Sequence, residues 1–420
     1  MSNRGRFTRR RFLGTSTRAT AAMGLSSMLA AQTATAARRI IGANDRINIG
    51  LIGSGGRGTR DMEIAVGAEN VACTALCDVA EFRLHEAKAR INKKMEQKGK
   101  PVSKIKYYDN YQALIESKDI DAVIIGTPDH WHYRPFIDSL DTGKHIYQEK
   151  PMAYTIEQGL EMVRAARKHP ELTVQIGTQQ RSYLNYAQAK EIVDTGILGV
   201  IRFVRCFDCR NWTWGDPFEP REVQGKIDWE QFETPCTKKH KYDPYRYFAW
   251  RWFWDYAGGL VTDVGVHVMD IVHWMTGETM PKSVVCNGGV YQFKKWETPD
   301  VVNAVWDYGT HSITFTSNFT NQRIGDGTAL YGTKATMELH NGKISIWSEE
   351  RKKRDKPLHE FPTKIIQHQH NWIDCIRSGK KPNAPIELGF SSLLPSFLAN
   401  IAYRTGKKVS WDPVAQKVVM

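Results

Sequence analysis

A chain of 420 residues with 41% hydrophobic content exceeds what one core organises, so two globular domains are expected and a disordered chain is excluded. The formal charge of +13 argues only weakly for a polyanionic partner, because Arg4, Arg6, Arg9, Arg10, Arg11 and Arg18 lie in an opening segment with no acidic residue. The +7 left without those six is interspersed with acids over a large surface, so no nucleic-acid partner is expected.

The opening segment reads Thr8-Arg9-Arg10-Arg11-Phe12-Leu13, then a mildly apolar stretch over 19–31, then Ala34-Thr35-Ala36. It resembles the twin-arginine export signals of bacteria, which implies a leader over 1–37 and a periplasmic protein. The apolar stretch falls short of the roughly 20 residues of a permanent membrane span. With Cys73 the first cysteine, lipid anchoring has no support.

From Arg46 onward, short β-rich runs alternate with helical patterns. Strands are expected at 47–52, 71–77, 105–107, 122–125, 145–148 and 173–176, with helices between them from 58, over 81–95, near 111–116, and over 134–141 and 156–169. This predicts a doubly wound parallel sheet, an α/β Rossmann domain over 45–178. Beyond it the texture changes to one helix over 187–195 and extended runs at 200–209, 283–290, 301–308, 312–318, 329–331, 336–339 and 343–347. Residues 179–362 therefore read as an α+β domain with a mainly antiparallel sheet, interrupted by an aromatic, loop-rich insertion over 211–256. The basic run 351–356 holds Asp355 and precedes Pro357, as a solvated hairpin tip does. Helices over 365–377 and 388–403, within a last unit of 363–420, would pack back beside the first domain.

Seven cysteines do not suggest a disulfide framework. Cys73 and Cys77 share one expected strand and Cys206 and Cys209 another, where the extended rise separates them beyond bridging range. No CxxC pair stands near a histidine cluster, so no metal is expected and the cysteines read as small buried hydrophobes.

The first strand runs into Gly53-Ser54-Gly55-Gly56-Arg57-Gly58 and a helix. Gly53 permits the tight turn, Gly55 lets backbone approach a pyrophosphate, Gly58 lets helix and strand pack, and the helix N-terminus supplies positive potential. Asp78, about twenty residues past Gly58 at the end of the second strand, suits a carboxylate that accepts bonds from an adenosine ribose. The cofactor is then NAD or NADP: Asp78 opposes a 2′-phosphate, while Arg57 and Arg83 are placed to receive one. The glycines of 327–334 space like a phosphate loop, but the lysine of Gly332-Thr333-Lys334 is displaced, which rules the segment out.

Thr127-Pro128-Asp129-His130-Trp131-His132 and Glu149-Lys150-Pro151 follow the fourth and fifth strands, at the carboxyl edge where parallel sheets bind ligands. Together with the glycine fingerprint and Asp263-x-Gly265-x-His267, these motifs resemble the Gfo/Idh/MocA family of glucose-fructose oxidoreductase and inositol dehydrogenase. The resemblance covers nearly all of the chain after the leader. It implies a Rossmann domain, an open-faced sheet domain that often mediates homo-oligomerisation, and hydride transfer at a sugar or polyol carbon. By motif it implies that Thr127, Pro128, His130, His132, Glu149 and Lys150 border the cofactor, with Lys150, Asp263 and His267 catalytic.

The residue chemistry agrees. Asp263 and His267 stand at i and i+4, expected on one helical face, with Asp270 and Trp274 continuing the stripe. A carbinol oxidation needs a proton acceptor, which histidine supplies near neutral pH, and a cation such as Lys150 against the reacting oxygen. Arg181, Tyr183, Tyr245, Arg246, Trp250 and Arg251 fall on loops expected to border the cleft and suit a polyhydroxylated substrate. Trp212, Trp214, Trp252 and Trp254 read as packed core.

Export implies a cofactor regenerated in place, because a periplasmic enzyme meets no pool of free dinucleotide. Two reactions meet that condition: a ping-pong exchange of hydride between two substrates, or transient oxidation that eliminates a glycosidic bond, as in the family's N-acetylgalactosaminidase branch. The Asp-x-Gly-x-His motif favours the first. A non-catalytic sugar-binding protein is disfavoured by the presence of Lys150, Asp263 and His267 together.

Overall fold

The computed structural model describes residues 45–102, 104–340 and 342–420, so the leader over 1–37 lies outside the described residues. Wholly buried apolar strands form the centre of the first sheet. β1 (Ile47–Ile52), β2 (Val71–Cys77), β3 (Lys106–Tyr108), β4 (Ala122–Ile125), β5 (His145–Gln148) and β6 (Val174–Ile176) are all parallel, in the order β3-β2-β1-β4-β5-β6. The order reverses between β1 and β4, which opens a crevice at their carboxyl ends. Side-chain caps fix two of the flanking helices: Asn110 Oδ1 accepts from Ala113 N (2.9 Å), and Thr155 Oγ1 from Gln158 N (3.1 Å).

The second sheet has ten strands: β7 (Ile201–Cys209), β8 (Ser283–Gly289), β9 (Val301–Asp307), β10 (Ser312–Asn318), β11 (Asp326–Gly332), β12 (Ala335–His340), β13 (Lys343–Ser348), β14 (His359–Phe361), β15 (Val409–Asp412) and β16 (Lys417–Val419). Only β7 with β10 runs parallel. Strict alternation along β9 buries Val302, Ala304 and Trp306. These pack in one core with Met269 and Val272 of the helix Gly265–Thr276 and Leu394 and Leu398 of Ile386–Thr405. The opposite face is open, with the cross-strand pair Val285 and Val305 46% and 42% exposed.

The expected tail unit of 363–420 is divided in its packing. Helix His368–Ser378 puts Trp372, Ile373 and Ile376 into the core of the first sheet beside Ile47 and Ile49. β15 and β16 instead extend the edge of the second sheet through β8, an addition too short for periodicity to signal. Residues 351–356 form the exposed β13–β14 tip as expected, and 327–334 is strand β11 with its turn. Among the described residues all seven cysteines are free, six of them buried. No described helix is long and apolar enough to cross a membrane.

Candidate active site

A cavity of about 940 Å³ runs from the carboxyl edge of the first sheet to the second domain, lined by Gly53, Asp78, Lys150, Asp263 and His267 among others. Its dinucleotide end is shaped by backbone. Gly53 has φ of +87°, and a Cβ there would lie 2.5 Å from Thr127 N. A Cβ at Gly58 would lie 2.2 Å from the Gly53 carbonyl oxygen, so helix and turn touch only because that atom is absent. At Gly55 and Gly56 a Cβ would meet nothing within 4 Å, which leaves their backbone open to the cavity. The helix Gly56–Ala65 starts there with no side-chain cap. Its first amides are free to meet an anion. Thr127 Oγ1 is buried without a partner in the same wall, so a donor and acceptor are left over for a bound group. These features fit a dinucleotide.

Asp78 closes this end of the cavity. Its carboxylate accepts from Ser54 N (2.6 Å) and Ala80 N (3.0 Å), and burial pushes its pKa up to about 6 against those bonds and the Arg83 cation. Arg57 is engaged elsewhere, on Asp61 (2.9 Å) and Glu149 (3.0 Å). Glu149 also accepts from Lys150 N and Gln179 Nε2, and a Cβ at Gly177 would occupy its space, 2.5 Å from Oε1.

A strap from the insertion crosses this end. Asp228 N donates to Val79 O (2.8 Å), Glu81 N donates to Lys226 O (3.0 Å), and Arg221 pairs with Glu86 (2.5 Å). Arg221, Phe232, Tyr247 and Phe248 line the cavity from above Asp78. The motif histidine His130 serves the strap: its Nε2 donates to Phe232 O (2.8 Å), as does Trp131 Nε1, and the ring packs on Phe232 and Tyr256. His132 lies 2.6 Å from Pro151 O and 2.8 Å from Thr127 O, bracing the two motif loops against each other. Neither ring lines the cavity.

The other wall is made of side chains. Lys150 Nζ donates to both Asp263 Oδ1 and the Asp263 carbonyl oxygen, each at 2.7 Å. The backbone permits this because Asp263 and His267 do not share one helix, contrary to the sequence expectation. One helix ends at Asp263, the next begins at Gly265, and His267 N bonds Val264 O. The carbonyl that a continuous helix would consume is given to Lys150. Both side chains still line the cavity. Burial pushes the Asp263 carboxyl up, but the cations of Lys150 and Arg251, the latter 3.5 Å away, outweigh it and hold the group well below the usual carboxylate range. Burial, reinforced by Lys150, pulls His267 down to about 3 despite Glu149 and Asp263, so its imidazole is neutral.

Tyr183, Trp250 and Arg251 border the cavity as expected. Arg181, Tyr245 and Arg246 do not. Arg181 forms a buried pair with Asp270 (2.8 Å), which removes Asp270 from the polar stripe as well. Tyr245 is bonded to Asp216 and Trp296, and Arg246 to Glu297. The tryptophans also divide: Trp252 is fully buried and stacked on Trp296, Trp212 lines the cavity, and Trp214 is 80% exposed. Sequence reading missed Asp129, Asp208, Arg210 and Phe218, which line the cavity too. For Asp129 a signal existed, since it stands inside the Thr127–His132 motif.

Comparison with known proteins fits this geometry. Residues 47–178 match the Gfo/Idh/MocA model described as an oxidoreductase family NAD-binding Rossmann fold, and residues 183–420 its C-terminal alpha/beta domain. This chain belongs to the Gfo/Idh/MocA oxidoreductase family. Its first domain is an NAD-binding Rossmann domain. The fold is that of scyllo-inositol dehydrogenase from Lactobacillus casei, solved with NAD(H) and scyllo-inositol (TM-score 0.62, 19% identity, 87% of this chain and 99% of that one). It is also that of levoglucosan dehydrogenase, solved with NADH and levoglucosan (TM-score 0.65, 17% identity, 87% and 99%). A glycosyl hydrolase family 109 protein of Solibacter usitatus is 29% identical over 157 residues, 37% of this chain and 35% of the relative. The chain thus spans about a third of that curated relative's length.

Proposed function

We propose that this protein is an exported, NAD-dependent oxidoreductase of a sugar or polyol that keeps its dinucleotide bound between turnovers. The observation that carries the reading is the convergence of Lys150, Asp263 and His267 on the cavity that the Gly53–Gly58 cradle also lines. The bound nicotinamide supplies the hydride acceptor. Lys150, fixed by two bonds to Asp263, presents its cation to the reacting oxygen and favours the alkoxide-like form. Neutral His267 accepts the hydroxyl proton. Asp78 and the engagement of Arg57 by two carboxylates favour NAD over NADP. Retention is supported by the strap, which is bonded to Val79 and Glu81 beside Asp78. The polyol class is supported by the solved neighbours with scyllo-inositol and levoglucosan.

A second reading, cleavage of a glycoside by transient oxidation and elimination, is favoured by the family 109 relatives. The open face carrying Val285 and Val305 is proposed to join copies of the chain. The test is mass spectrometry of the dinucleotide released on denaturing purified protein, then absorbance of the bound cofactor against a panel of polyols and glycosides. Retained NAD reduced by a polyol is expected. Protein that purifies empty and needs millimolar dinucleotide contradicts retention.

A further inference from the structure

Among the carboxyl groups near Lys150, Asp129 takes no part in holding that cation. It lies at the start of the turn Asp129–Trp131, directly after Pro128, and is 4% exposed while lining the cavity. Its position is fixed, because the next two residues both bond Phe232 O and His130 N bonds Tyr256 O. Its carboxyl accepts from its own backbone amide, but no other residue is bonded or ion-paired to it among the described residues, whereas Asp263 is held by Lys150 and Arg251. Of the two carboxyls, Asp263 is a counter-ion and Asp129 is free to exchange a proton.

We propose that Asp129 is the proton store of the reaction. As the C–H electron pair leaves the carbinol carbon as hydride to the nicotinamide, the O–H bond breaks and its proton, taken first by His267, ends on the Asp129 carboxylate, leaving a carbonyl, a neutral imidazole and a neutral carboxyl. In the reducing half-reaction hydride returns to the carbonyl carbon and the carboxyl proton goes to its oxygen. An enzyme that keeps its dinucleotide must keep the matching proton at hand, so the inference rests on the reading of a retained cofactor.

The surroundings suit the task. The groups facing Asp129 are Asp263 on the helix end, Lys150 after β5, Arg251 on the insertion and Tyr154 before the next helix. Burial and the Asp263 charge raise its pKa to about 8 against Lys150 and Arg251. His267, near 3, passes on the proton it accepts, whereas a group near the working pH can both store and return one.

The experiment uses holoprotein with Asp129→Asn and Asp129→Glu. Infrared difference spectra across pH 5 to 10 should show a protonated carboxyl band in the wild type that titrates near 8 and is missing from the Asn variant. The folded pKa is raised, so the wild-type carboxyl contributes stability that is lost as pH rises toward 8. The melting temperature of Asp129→Asn relative to wild type should therefore climb from pH 5 to 8 and then level. Single-turnover cofactor reduction should fall about 10²- to 10⁴-fold in Asp129→Asn, with dinucleotide retained and the ionisation near 8 gone, and Asp129→Glu should restore part of it. No lost band, or an Asn variant with the wild-type rate and pH profile, overturns the proposal. A band that is lost from protein reduced by no polyol supports the store and contradicts the polyol reading.

Discussion

The dinucleotide end of the cavity is built from backbone contributed by one stretch of chain, Gly53 to Gly58, with Asp78 following on the next strand. The wall around Lys150 is built from side chains delivered by distant segments: Lys150 after β5, Arg251 on the insertion, and Asp263 and His267 on either side of a helix break. At Gly53 and Gly58 the backbone cradle has no room for an added carbon, whereas a side-chain wall can lose a member and keep its shape. Binding and chemistry should therefore be separable by mutation.

The largest effect is expected at the cradle. Gly58→Val puts atoms into the Gly53 carbonyl oxygen, 2.2 Å from the first added carbon, so the turn must move. Bound dinucleotide should disappear from purified protein, and retention at wild-type level would show that the cradle is not the binding site. Next come Lys150→Ala and His267→Ala, each expected to lower single-turnover cofactor reduction by about 10²- to 10⁴-fold while leaving dinucleotide bound. The double variant should be little worse than the worse single one, since both act on one proton transfer; additive losses would assign them separate roles.

Arg181→Ala breaks a buried pair and leaves Asp270 unpaired, at a cost of about 3 to 5 kcal/mol. Denaturant unfolding should show that loss without a change in KM. A raised KM in stable protein would return Arg181 to the substrate. The smallest effect is expected from Arg221→Ala on the strap, an exposed pair with Glu86 worth no more than about 1 kcal/mol. Dinucleotide release by stopped-flow fluorescence should quicken less than about tenfold; a larger change would make Arg221 a direct cofactor ligand.

The same contrast explains what the sequence made legible. The Rossmann strands, the glycine turn and Asp78 are local signals, each readable from neighbours along the chain. Lys150, Asp263 and His267 follow from motif resemblance, but their geometry does not: Val264 and Gly265 sit in an apolar run that reads as one helix, and only the structure shows the break that frees the Asp263 carbonyl for Lys150. Arg181, Tyr245 and Arg246 have the composition of a sugar site and of buried polar pairs alike. Their partners Asp270, Asp216 and Glu297 lie 89, 29 and 51 residues away, beyond what spacing can connect. Asp129 is hard to single out for the opposite reason: its motif neighbours His130 and His132 carry the more telling side chains, yet they brace loops.

The most direct test measures bound dinucleotide and single-turnover cofactor reduction on one preparation of Lys150→Ala, with its melting temperature as control. The separation of cradle and wall predicts stoichiometric dinucleotide, near wild-type melting and at least about a 100-fold slower reduction by the polyol that reduces the wild type. Loss of dinucleotide and rate together, or a wild-type rate with Lys150 gone, would contradict it.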